Sequence, residues 1–390
     1  MIVVISRRLQ LGIVYDHSSL YSRPTEGSAL RTTFLTTGIL LLSSGLSAWC
    51  GDWNPRLAAD YLDAREKAWF AWPVAKTAGG TCVSCHTGMA YLLARPALRK
   101  LLGEAQPTEY ETGLLDGMKQ RTLKGERMFG GATWAHEPGA SQAGDVQTIL
   151  AALLLARDDR SSIMSQATEQ AFDSLWASQR REGPTKGAWS WFELNLDPYE
   201  TIDSAYYGAT LAAVAAGSAP ASYREKPDVK THIVDLVAYL RSAQEGQPLH
   251  NRLMLLWVAA ALPGALPKDA CQQLVAEALG KQQPDGGWTL ESLGPWKEHP
   301  TALPSSGSNA YATAVVAVAL ERAGLTRSNP GLAKALDWLR SHQNPAGYWD
   351  AISMNKRYDA GSMQELFMRD AATSFAALAL TTADAHARVE

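Results

Sequence analysis

Apolar residues recur along most of the chain at the three- and four-residue spacing of helices, and no stretch alternates long enough to build strands. The pattern predicts an all-α fold. Two kinds of helical segment follow one another: one amphipathic and carrying Trp or Leu, the other dense in Ala. Between them stands a turn with Gln, Gly and an aromatic residue. The clearest unit pairs 276–288, ending in Gln282-Gln283-Pro284-Asp285-Gly286-Gly287-Trp288, with the Ala-rich segment 309–323. The last unit has 335–340, a Gln343 to Trp349 turn, and then 370–382. An earlier one has 172–179, Gly187-Ala188-Trp189 and 203–216; 114–127 with 145–157, and 233–244 with 251–262, are degenerate copies. A first unit reads 58–68, with Trp69 and Trp72 at its turn, and a second helix starting around Cys85. Repetition at this period is the mark of a fold built from stacked hairpins. Six hairpins suffice to close a ring, with Ala-rich helices inside and amphipathic helices facing solvent.

The most specific chemistry lies in the first unit, at Cys82-Val83-Ser84-Cys85-His86. Cys-x-x-Cys-His is the attachment signature of c-type haem. The spacing lets both thiols reach the vinyl groups on one porphyrin edge, while the next residue offers an imidazole nitrogen to the iron. Structural zinc needs four ligands, commonly in two paired clusters, and Cys50 and Cys271 stand far from the motif in sequence. A thioredoxin-like dithiol expects a βαβ setting, which the pattern lacks. A Cys82–Cys85 disulfide leaves His86 without a role. Covalent haem c, with His86 on the iron, is therefore the expectation.

That chemistry requires export, and the N-terminal region agrees with it. Arg31 precedes an apolar run over 34–46 that ends in Ser47 and Ala48, as in a signal peptide cleaved near Ala48. The run is shorter than the roughly 20 apolar residues of a membrane span. A periplasmic or secreted protein, residues 49–390 forming one domain, is expected, with Leu30 as an alternative initiator to Met1. Composition then narrows the partners. Of 390 residues, 46% are hydrophobic, enough for a sizeable core, and a net charge of -3 gives no footprint for nucleic acid or anionic lipid.

The Gln-Gln-Pro-Asp-Gly-Gly-Trp turn and its partner at Gln343 to Trp349 resemble the repeat motif of the squalene–hopene cyclase superfamily. That resemblance implies an α/α toroid of terpenoid cyclase and prenyltransferase type. It does not carry activity across, because the Asp-x-Asp-Asp run of such cyclases is absent here and the prenyltransferase zinc ligands find no match.

Other candidate groups fall at the expected starts of Ala-rich helices. Asp145, Asp203, Asn309 and Asp370 suit helix capping. Asp203, preceded by Glu200 and followed by Tyr206 and Tyr207, is the candidate catalytic acid facing a central cavity. A sixth haem ligand is sought at His136, in a loop expected to share a rim with Cys85; His250, Met118 and Met128 are alternatives. Trp134, Trp189, Trp191, Trp288 and Trp349 read first as packing elements, with Trp191 the one expected at a cavity wall. Three functions result: an extracytoplasmic haem protein passing electrons to a redox partner or acting on an apolar, isoprenoid-like substrate; a haem-free cyclase-like enzyme; and a non-catalytic toroid binding lipid or protein.

Overall fold

Several helices begin where the sequence supplies its own cap. Asn54 accepts from the backbone N–H groups of Arg56 and Leu57 to start α1 (Pro55–Ala71), and Thr108 and Glu111 form a reciprocal capping box on α3 (Glu109–Lys124). Asn309 caps α11 (Ala310–Arg322), and Asn329 caps α12 (Pro330–Ser341). The other helices are α2 (Gly88–Leu102), α4 (Ala140–Asp159), α5 (Gln166–Ser178), α6 (Ser204–Ser218) and α7 (Ala221–Arg224). They continue with α8 (Pro227–Ser242), α9 (Leu249–Ala261), α10 (Lys268–Gly280) and α13 (Met363–Ala387). The computed structural model describes residues 53–77, 80–125, 140–159 and 163–387; all belong to a unit spanning Cys50–Glu390, separate from Met1–Trp49. The protein is mostly helical. Among the described residues the strands are two short ones, β1 (Lys76–Thr77) and β2 (Gly80–Thr81), paired antiparallel. No described helix is long and apolar enough to cross a membrane.

Burial separates the helices into the two kinds that the pattern announces. In α11, every residue from Ala310 to Glu321 is buried, and α6 is buried from Tyr206 through Ala216. A helix buried on every side must have neighbours on every side. The contacts supply them: α2 packs on α4, α4 on α6, α6 on α9, α9 on α11, α11 on α13, and α13 on α2. Each half-buried helix packs on a buried neighbour in sequence: α1, α3 and α12 on the one that follows, and α5, α8 and α10 on the one that precedes.

The Gln–Gly–Trp turn is a repeated joint. Gln282 Nε2 donates to Gly286 O within its own turn and to Gly331 O in the next half-buried helix, both at 2.8 Å. Gln179 does the same to Gly187 O and His232 O, and Gln343 to Gly347 O and Asn54 O, all at 3.0 Å. Gln343 thus ties the last hairpin to the first. The indole N–H of Trp288 donates to Ala278 O and that of Trp349 to Leu339 O, each at 2.7 Å, closing the turn over its own helix. Gly347 has φ +94°, and a Cβ there would lie 2.1 Å from Leu57 O, so no side chain fits. Trp189, Trp288 and Trp349 are at most 1% exposed; truncating one to Ala costs about 3–5 kcal/mol.

Several boundaries differ from expectation. α2 begins at Gly88, so Cys85 and His86 lie in the turn before it. α4 begins at Ala140 and α13 at Met363, which puts Asp145 and Asp370 inside helices rather than at their starts. Tyr207, His250, Trp257, Tyr311 and Phe375 surround a cavity of about 10 Å3, room for about one water at most.

Candidate functional site

The Cys-x-x-Cys-His segment is held by its neighbours on both sides. After α1 the chain turns through Pro73–Ala75 and the β1–β2 hairpin, and Cys82 N–H donates to Ala75 O at 2.9 Å. Trp69 Nε1 donates to Cys82 O at 2.8 Å. Ser84, inside the motif, starts the next helix: its Oγ accepts from Thr87 N and Gly88 N at 3.0 and 3.1 Å, satisfying donors that a helix start leaves unpaired. Thr87 then donates from Oγ1 to Asp370 Oδ2 at 2.9 Å. Asp370 also accepts from Arg65 Nε at 2.7 Å and from the Tyr61 hydroxyl at 3.0 Å. Removing that carboxylate would strand a buried guanidinium, so the cluster locks α13 to α1 and to the motif.

Cys82 packs with Trp69 and Ala75, bordered by Phe70, Trp72, Met363 and Phe367, while Cys85 belongs to the main core. Both thiols are free. Burial pushes Cys82 up to about 11 despite the nearby Arg121, and burial beside Glu200 pushes Cys85 higher still. Two protonated, buried thiols are poor nucleophiles, which argues against dithiol catalysis.

His86 is the chemically exposed member of the set. Phe367 stacks on its ring at 4.4 Å and 9°, and Tyr199 meets it edge-on at 6.0 Å. Nδ1 is buried with no hydrogen-bond partner, and Nε2 lies 3.7 Å from Glu200 Oε1, beyond hydrogen-bond length. About a fifth of the side chain (21%) stays accessible. Burial lowers its pKa to about 4 and raises that of Glu200 to about 7, so the imidazole is neutral and offers a lone pair. Phe367 covers a ring face and leaves the in-plane direction of the nitrogen lone pairs clear of its stacking. Near Cys82, Glu66 is fully buried with both carboxylate oxygens unpartnered, and burial raises it far above the ordinary range.

The remaining candidates scatter. The Asp203 side chain caps nothing. It lines a pocket of about 260 Å3 with Glu193, Asp197 and Trp296, where burial raises its pKa. No described acidic side chain lines the small cavity among Tyr207, His250, Trp257, Tyr311 and Phe375. Trp191 is 1% exposed and donates from Nε1 to Tyr199 O at 2.6 Å, a packing role in place of the expected cavity wall. His250 is bound to Asn251 and Tyr311 and is not free for iron. Met118 is fully buried. His136, Trp134, Met128, Cys50 and the signal-like segment lie outside the described residues.

Tyr199, Glu200 and Phe367 are the site residues that sequence reading missed. Tyr199 touches His86, Tyr207, His250 and Tyr311, residues at or just before the starts of α2, α6, α9 and α11. It comes from the loop between α5 and α6, which has no periodicity to announce it. Among the described residues, no group of three or more His, Cys, Asp or Glu side chains gathers as a site for a bare metal ion. No protein-family model matches the chain, and no curated protein is significantly similar to it.

Proposed function

We propose that the protein is an extracytoplasmic electron-transfer protein: an α/α toroid that carries haem c on Cys82 and Cys85, with His86 as its iron ligand. The single observation behind this reading is His86, a neutral imidazole following two free cysteines at attachment spacing, with neither ring nitrogen in a hydrogen bond. The donor set suits a porphyrin iron better than a bare ion, which would ask for more ligands than gather here. When bound, the haem supplies reversible one-electron transfer. The chain supplies the rest: two thiols to hold the ring, His86 on the iron, and Trp69, Trp72 and Met363 as apolar cover near Cys82. Asp370, through Thr87, keeps the ligand turn on α13.

The toroid reading is supported by the circuit of contacts from α2 through α4, α6, α9, α11 and α13 back to α2, and by the three Gln joints. The packed centre favours electron transfer to a redox partner protein over chemistry on an isoprenoid-like substrate, which would need a chamber. His136 is kept as the proposed sixth ligand, and export through the segment before Ala48 as the route to the haem-attaching compartment. A pyridine haemochrome spectrum of the protein, produced with a cytochrome c maturation system, tests the reading. A stoichiometric c-type spectrum is expected. Colourless, folded protein would remove the redox function and leave a binding toroid.

A further inference from the structure

Around the circuit of buried helices, α2 and α4 make the lightest contact of any neighbouring pair, and a cavity of about 550 Å3 opens at that seam. It lies toward the end of α2 away from the Cys-x-x-Cys-His motif and shares no residue with it. Leu92 and Pro96 of α2, Leu115 of α3 and Leu154 of α4 give it apolar walls. A space of this size suits a small organic molecule.

The polar end of the cavity is set by one arginine. Arg99, in the last turn of α2, makes a single side-chain hydrogen bond, from Nε to Glu111 Oε1 at 3.4 Å, which is long for a charge-assisted pair. Among the described residues neither Nη of Arg99 donates to a partner, although only 18% of the side chain is accessible. Arg95, one turn earlier, shows the saturated arrangement: Nε and Nη2 donate to Asp63, and Nη1 donates to Glu104. The carboxylates near Arg99 are engaged elsewhere. Glu111 accepts from the Thr108 N–H in the capping box, and Asp158 accepts from Lys119 Nζ at 2.9 Å. The open edge of the guanidinium therefore faces a cavity with apolar walls.

We propose that the seam between α2 and α4 is a binding site for an aliphatic monocarboxylate. A planar guanidinium takes a carboxylate through two parallel N–H bonds, and the chain of the ligand lies along Leu92, Pro96, Leu115 and Leu154. The charges of the lining select a monoanion. Arg99, Lys119 and Arg157 stand against Glu111, Asp116 and Asp158, three of each sign. A dianion meets no excess of positive charge there, whereas a single carboxylate needs only the Arg99 fork. The site goes beyond the haem reading and owes nothing to it.

Hexanoate, octanoate and dodecanoate are the probes, each titrated calorimetrically at neutral pH into the full-length protein as purified. One saturable site is expected, tightening along the series as more chain is buried. Octanol has the chain without the charge, and inorganic phosphate has charge without the chain. Each should bind at least about tenfold more weakly than octanoate. Arg99→Gln should weaken octanoate about tenfold or more, through loss of the charged hydrogen bonds. Leu115→Trp keeps every charge but fills the cavity, and should weaken it by about tenfold. No binding of any of the three carboxylates, equal octanoate affinity in wild type and either variant, or octanol or phosphate matching octanoate would each overturn the proposal. Colourless protein would leave it standing, because the titration needs no haem.

Discussion

His86 and His250 invite comparison, because both are neutral and both lie in ring contact with Tyr199. Burial lowers both to about 4. They differ in what their nitrogens meet. His250 has partners on both, so removing its ring leaves Asn251 Oδ1 without a partner in the core and Tyr311 bonded to Tyr199 alone. His86 has a hydrogen bond on neither, so the fold gains little from its being an imidazole. A buried polar group that stabilises nothing by itself is the ordinary signature of a residue kept for something other than folding.

Mutation separates the two most sharply through haem. Replacing both Cys82 and Cys85 with Ala should abolish covalent haem completely, read by the haemochrome, with helical content by circular dichroism unchanged. His250→Phe should destabilise the protein by about 2–4 kcal/mol in chemical denaturation, through an unsatisfied partner and lost fit. The pH profile comes next. His250 titrates near 6.5 unfolded and near 4 folded, so below about pH 6.5 the unfolded chain binds the extra proton. Wild-type stability should therefore fall as pH drops from about 6.5 to about 4, with His250 contributing roughly 2–3 kcal/mol. The slope should be shallower in His250→Phe. His86→Phe is the smallest effect and of opposite sign. In haem-free protein it should raise stability by about 1 kcal/mol, because an apolar ring replaces a polar one that lacks partners. A large loss in that variant would show that His86 is structural.

The hairpin pairing was legible because Ala-dense and amphipathic segments differ along their whole length, and because Gln282-to-Trp288 and its copies mark the same joint each time. Cys82, Cys85 and His86 were legible as a motif. Their surroundings were not. Phe367 reaches His86 from the far end of the chain, and Tyr199 and Glu200 come from a loop, so folding alone brings them together. The surroundings of Asp203 were not legible, because a helix-start position says nothing about which way the side chain turns; the small aromatic cavity is lined by Tyr207, Tyr311 and His250. Asp370 looked like a cap because the first two turns of α13 are less dense in Ala than the rest of that helix.

The bond between Gln343 and Asn54 gives the last hairpin the same neighbour relationship as those in mid-sequence. An open array of repeats loses its outermost members first, since they are supported on one side only. On the proposed toroid reading, neither terminal hairpin is outermost. Amide exchange should therefore find no gradient of protection running inward from α1 or α13. A chain cut open between two other hairpins and rejoined at these two should reach the same native state.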